Sequence, residues 1–261
     1  MDLLIRIFRL QNILLFFYVM LIIIALDATA NAKSDNIQFQ KYLTTDKGYS
    51  AHLKDKVSRA FKKTFPGCQA APTQKRKKPL LLTSIKMPTE TDLEIRKKAL
   101  ESENEKSKNR PKDTKNLPAH PKYGQWIERF QTNACGHQVD INILANAYNI
   151  NDLPATFPLL NGETKVSIIE QPRAISSVKT AANKSIKNCF SSPLIINTHF
   201  LGYRNPKDGI LSDTDKNNGS FERWIIKACD KDHAVDIAIL PDAQNQFKYI
   251  ARIRGNKQEK K

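Results

Sequence analysis

Two stretches of this chain repeat each other, and that constrains the fold more than any other feature. Glu128-Arg129-Phe130 leads to Ala134-Cys135 and then to Val139-Asp140-Ile141-Asn142-Ile143-Leu144. Glu222-Arg223-Trp224 leads to Ala228-Cys229 and then to Val235-Asp236-Ile237-Ala238-Ile239-Leu240. Glu to Cys is seven residues in both, and the connection after Cys is four residues in one copy and six in the other. Upstream, Val57 to Cys68 and Val178 to Cys189 are both 11 residues. Matches in order and spacing over two separate stretches describe a duplicated unit.

Periodicity gives each copy the same elements. Leu53, Val57, Ala60 and Phe61, and later Ile175, Val178, Ala182 and Ile186, fall at helical spacing. Each helix is expected to end near its Cys, the first with Pro66-Gly67 as a stop. The apolar runs Leu80–Ile85 and Leu194–Leu201 suit strands. Alternation at Trp126, Glu128, Phe130, Thr132 and Ala134, then at Val139, Ile141 and Ile143, predicts a hairpin with its turn at Cys135–Gln138. The second copy is expected to turn over Asp230–Ala234. Lys165–Ile169 and Phe247–Ile253 are expected to add a last strand to each. The fold class is therefore α+β: two tandem related modules, 33–170 and 171–261, each a helix packed on a small antiparallel sheet.

Four cysteines permit three pairings. If the copies fold alike, the helix Cys meets the hairpin Cys within its own copy, predicting Cys68–Cys135 and Cys189–Cys229. A competing use is a metal site built from Cys135 with His137 and Cys229 with His233, one pair from each copy.

The N-terminus supports oxidation. Arg6 and Arg9 precede a 14-residue apolar run, Ile13–Leu26, followed by Asp27 and by Ala30-Asn31-Ala32. This is the pattern of a signal peptide over 1–32, short for a membrane span, with an uncleaved anchor as the alternative. Export, to periplasm or medium, suits paired cysteines.

Charge is strongly basic: 42 Lys+Arg against 26 Asp+Glu, net +16. The first copy carries an insert, about 73–122, that the second lacks. Between Lys75 and Lys122 there are 14 Lys+Arg and 7 acids, or +7 over 48 residues. Glu90–Lys108 is expected to be a charged helix within it. Lys75, Arg76, Lys77, Lys78, Arg96, Lys97 and Lys98 are the candidates for holding a polyanion, either an anionic surface polymer or lipid headgroups. No specific nucleic-acid motif is present, and the insert is poor in stacking aromatics.

The sequence offers no nucleophile elbow, phosphate loop, zinc-protease motif or other cofactor signature. Asp140 and Asp236 read as solvent-facing strand carboxylates, and Glu128 and Glu222, with Arg129 and Arg223, as cross-strand charge pairs.

Phe65-Pro66-Gly67-Cys68, and Trp126 with Cys135-Gly136, resemble uncharacterised exported bacterial proteins. Those carry a Phe-Pro-Gly-Cys helix end and an aromatic strand closing on Cys-Gly. The second copy departs, with no Pro-Gly before Cys189 and Asp230 in place of the Gly. The resemblance implies an envelope protein and no catalytic residue. The expected function is an exported, non-enzymatic binding or structural protein. A secreted metal-dependent hydrolase and a polyanion-binding protein are the alternatives.

Overall fold

The computed structural model describes residues 34–106, 119–189, 191–204, 211–212, 219–241 and 246–254. Residues 1–32, expected from the sequence to be a signal peptide, and the stretch 107–118 of the basic insert lie outside the described residues. Among the described residues the fold is mixed α+β, with four helices and two antiparallel sheets.

In chain order the helices are α1 (residues 34–45), α2 (Lys47–Thr64), α3 (Glu90–Lys106) and α4 (Gln171–Ser185). The strands are β1 (Thr73–Arg76), β2 (Leu80–Leu81), β3 (Gly124–Ala134), β4 (His137–Ala147) and β5 (Ala155–Pro158). They continue with β6 (Leu194–Arg204), β7 (Leu211–Ser212), β8 (Ser220–Ala228), β9 (Lys231–Pro241) and β10 (Phe247–Ile253). One sheet runs β1-β3-β4-β5, with β2 also on β3, and the other runs β10-β9-β8-β6-β7. The two central hairpins, β3–β4 and β8–β9, carry the repeated motif, each flanked by a strand before it and one after it.

Both hairpins turn on two residues. Cys135 and Gly136 have φ of 50° and 75°, and Cys229 and Asp230 have 47° and 61°. Positive φ at both central positions is the type I′ turn, whose twist matches that of the strands. The longer turns expected from sequence are therefore absent. The two extra residues of the second copy lie within β9. An even insertion keeps the inward face inward, so Val139 and Val235 are both buried.

Two other expectations fail for identifiable reasons. Lys165–Ile169 is not a strand; β5 closes the first sheet instead. The Lys165 N–H donates to the Glu222 carboxylate at 2.6 Å rather than to a ladder, and Val166 is buried in the second copy's core. In the run Leu80–Ile85 only Leu80–Leu81 is strand, and Leu80, Leu81 and Leu82 are exposed. The strand that pairs along β3 is β1, with Thr73 opposite Asn133 and Arg76 opposite Phe130. Its inward residues have specific partners: the Gln74 amide donates to the Lys54 carbonyl and the Ser58 hydroxyl of α2, and Arg76 binds Glu128.

The chain divides into two compact units. One comprises the described part of Met1–Ala51 with Leu81–Trp126 and Asn146–Ala155. Its core holds Phe39, Tyr49 and Trp126, all fully buried, with Trp126 donating its indole N–H to the Tyr49 hydroxyl at 3.1 Å. Helix α1, not expected from sequence, supplies Phe39, Tyr42 and Leu43 to this core. Asp46 then caps α2, accepting from the Tyr49 N–H at 2.8 Å. At α3, Thr89 and Asp92 bond each other's backbone N–H reciprocally, a capping box with Asp in place of Glu. That bonding, with Lys122 at 2.8 Å as its largest cause, holds the Asp92 carboxyl down to about 2.

The other unit comprises His52–Leu80, Ile127–Ala145 and the residues from Thr156 onward. Leu53, Val57 and Phe61 of α2 are buried at the predicted spacing. Helix α4 packs on β9 and β10, burying Ala174, Val178 and Ala182 with Trp224, Ile226, Val235 and Ile237. Disulfides Cys68–Cys135 and Cys189–Cys229 tie each helix end to its own hairpin turn, as the duplication predicts.

Candidate functional site

The outward positions of the first hairpin border two open concavities. On β3 these are Gln131 and Asn133; on β4 they are Gln138 and Asp140. Beside them lie Thr73 and Lys75 of β1, with Lys77 just after it. Two open depressions of about 270 and about 320 Å3 form here, and both are lined by Gln131 and Gln138. The first adds Thr73, Lys75 and Asn133; the second adds Lys77, Asp140, Gly162, Glu163, Asn197 and His199. The two depressions adjoin at these two shared side chains and together make up the trough.

The far wall is held by a dense set of hydrogen bonds. Gly162 has φ of 90° and bridges to Thr198 so closely that any Cβ there would collide with the Thr198 backbone. The Asn142 side-chain amide donates to the carbonyls of Leu160 and Gly162, both at 2.8 Å. Thr198 donates its hydroxyl to the Asn161 carbonyl at 2.6 Å, and the Glu163 N–H donates to the Thr198 carbonyl. Irregularities in the β6–β8 pairing at Ile195/Asn197 and Phe200/Gly202 flank the segment Asn197-Thr198-His199. Bulges of this kind re-aim side chains, which is how Asn197 and His199 reach the trough.

Behind that wall sits Glu222, fully buried. Its carboxylate accepts from the Lys165 N–H and, at 2.7 Å, from the Trp224 indole, with Thr164 and the Val166 N–H as further donors. Burial pushes its carboxyl above the ordinary value of 4.5 in spite of these bonds. Glu222 thus fixes the chain immediately after Glu163. Glu128, at the equivalent place in the first copy, is also fully buried and accepts from Arg76 at 2.6 and 2.8 Å. Neither glutamate forms the expected surface pair with its neighbouring arginine. They follow the inward parity of the strand because each has donors waiting there. The surface pair is instead Arg223 with Asp236, directly opposite on β9 and 2.7 Å apart. Asp140 pairs with Lys77 at 2.5 Å.

The charges along the lining cancel: Lys75 and Lys77 against Asp140 and Glu163. Asn197 and His199 contact each other at 3.3 Å. The side-chain amides of Gln131, Asn133 and Gln138 have no hydrogen-bond partner among the described residues.

The sequence-derived candidates are dispersed. Lys75 and Lys77 line the trough, Lys78 is exposed, and Arg76 turns inward onto Glu128. On α3, Arg96 is buried while Lys97 and Lys98 are exposed. His137 stacks on Phe65 with ring centres 4.2 Å apart, and His233 lies on β9 opposite Ile226. The sulfurs of Cys135 and Cys229 are bonded to Cys68 and Cys189, so the Cys/His metal set has no thiolates to offer. Gln131, Asn133, Gln138, Glu163, Asn197 and His199 were not singled out by the sequence. The available signal was the run of outward carboxamides on facing strands, which carries no titratable group.

The two disulfides place the protein in an oxidising, exported setting. No helix among the described residues is long and apolar enough to cross a membrane. Comparison with protein-family models, with curated proteins and with solved structures finds no match.

Proposed function

We propose that this is an exported, non-enzymatic binding protein of the cell envelope or extracellular space, and that its ligand is an uncharged polar chain laid along the trough. The observation that carries the reading is the pair of amides shared by the two adjoining depressions, Gln131 and Gln138, uncommitted in a lining of balanced charge. An open trough suits an extended polymer better than an enclosed small molecule. Balanced charge favours recognition by hydrogen bonding over attraction of a polyanion, despite the net charge of +16.

Retention on matrices of gelatin, dextran and heparin tests this. The expected result is retention on gelatin or dextran that survives about 0.5 M salt, where exposed charges are screened. That retention is lost in the double variant Gln131→Leu/Gln138→Leu. Retention on heparin alone, released by salt and unaffected by the double variant, replaces this reading with the polyanion one.

A further inference from the structure

We infer that Cys189–Cys229 is a thiol-exchange site: it takes an external thiolate at Cys229 and releases Cys189 as a thiolate that the Ser191 hydroxyl stabilises. The duplication supplies an internal comparison, because the first copy holds a disulfide at the same place. Each bond joins a residue just past a helix to the first residue of a two-residue hairpin turn. In both copies the helix-side sulfur lies 3.9 Å from the carbonyl oxygen two residues on, that of Ala70 in one and of Ser191 in the other. The two sites share a backbone frame and differ in what surrounds the sulfurs.

Access for an attacking thiolate does not separate them, since Cys135 and Cys229 are both exposed. The difference is at the sulfur that leaves. Cys68 is 6% exposed, and the first copy carries Ala70, with no hydroxyl, where the second carries Ser191. A thiolate released there is destabilised by burial. The first copy also closes its helix end on its turn by stacking Phe65 on His137, where the second has Ile186 and Lys231. Cys189 is half-buried, and the Ser191 Oγ stands 3.4 Å from its sulfur and 4.0 Å from that of Cys229. A disulfide sulfur has no proton, so the hydroxyl is the donor in both contacts. That hydrogen bond strengthens as charge develops on Cys189, and exchange runs faster when the leaving thiolate is the more stable one.

The step balances between protein and thiol. The attacking thiolate forms a new S–S bond to Cys229 as the Cys189–Cys229 bond breaks. The bonding pair leaves on Cys189, which then takes a proton from water. With a dithiol, its second thiolate displaces Cys229, the dithiol is oxidised to a disulfide, and the protein gains two thiols. The packing of α4 does not pass through the bond: the helix ends at Ser185, and its buried Ala174, Val178 and Ala182 lie in earlier turns.

The test uses the intact oxidised protein, excess dithiothreitol, and timed alkylation followed by peptide mapping. Cys189 and Cys229 are expected to be alkylated about tenfold sooner than Cys68 and Cys135, at a rate proportional to dithiothreitol. Ser191→Ala is expected to slow that opening about fivefold, the worth of a typical net hydrogen bond. Ser191→Thr, which keeps the hydroxyl, should restore it, with Cys68–Cys135 as the control in each variant. With glutathione as a monothiol probe, the trapped adduct is expected on Cys229. The inference is overturned if Cys68–Cys135 opens first or equally fast, or if the rate is independent of dithiothreitol, which means opening through unfolding. An adduct on Cys189, a Ser191→Ala rate equal to that of the parent, or a Ser191→Thr variant as slow as Ser191→Ala overturns it as well.

Discussion

Glu128 and Glu222 occupy the same position in two copies of one hairpin, both with no exposed surface, and each copy satisfies its carboxylate differently. Arg76, across from Phe130 on β1, serves Glu128. In the second copy Thr198 lies across from Trp224, and the indole of Trp224 supplies a donor to Glu222 that a phenylalanine lacks. The first copy thus pairs an arginine with a phenylalanine at this place, and the second a threonine with a tryptophan. A buried acid retained while its partners change is a structural commitment of the hairpin.

Removing Arg76 takes two charged donors from the fully buried Glu128 carboxylate. Arg76→Met is expected to lower the unfolding free energy by about 3 kcal/mol. Arg76→Met/Glu128→Leu should recover most of that. Urea denaturation of the four corners of this double-mutant cycle gives the coupling. A double variant as unstable as the single one contradicts the account.

Glu222 makes stability depend on pH with a particular sign. Its carboxyl is raised above 4.5 in the folded protein, chiefly by burial, so between those two values the folded state holds the proton more tightly than the unfolded one. Its contribution is full below 4.5 and is lost as pH rises through the folded value. Glu222→Gln should flatten this slope in melting temperature against pH. An unchanged slope means that Glu222 ionises in the fold as freely as in the unfolded chain.

His120 acts in the opposite sense. It is buried, with Nδ1 3.2 Å from the Tyr42 hydroxyl and 3.6 Å from Asp46, and faces Arg96 and Asp152 as well. Burial, the largest cause, holds it below 6.5 against the pull of Asp46. The unfolded chain therefore takes up the proton first, and stability falls as pH drops from 6.5 through the lowered folded value. Protection of the Tyr42 and Tyr49 amides against exchange, relative to their intrinsic rates, should fall as the pH drops below 6.5. His120→Asn should remove that pH dependence.

The disulfides close loops of 67 and 40 residues. By chain entropy each stabilises by about 4 kcal/mol. Cys189→Ala/Cys229→Ala should lower the denaturation midpoint substantially while leaving Cys68–Cys135 detectable by peptide mapping. Equal stability of the variant and the parent is the contrary result.

Gly162→Ala tests the trough wall. Positive φ and the collision with the Thr198 backbone act together there. A loss of roughly 2–3 kcal/mol is expected, together with weaker ligand retention. Gly136→Ala, where a Cβ meets nothing nearby, should cost less, about 1 kcal/mol from its φ alone.

Much of this was written in local pattern. The repeated Glu-Arg-aromatic and Cys spacing determined which helix end meets which hairpin, because a duplicated unit that folds alike must pair its cysteines alike. Alternation likewise placed Trp224, Ile226, Val235 and Ile237 in the core, since i, i+2 geometry belongs to the strand itself. Only the tertiary structure decided where the charges go. Strand parity pointed Glu128 and Glu222 inward while their charge argued outward. The outcome turned on donors 52 and 57 residues away in sequence, Arg76 and the Lys165 N–H. The trough is of the same kind: Lys77, Gln131, Gly162 and His199 meet through Gly162 crossing against Thr198, and no periodicity in the chain announces a contact between backbones so far apart in it.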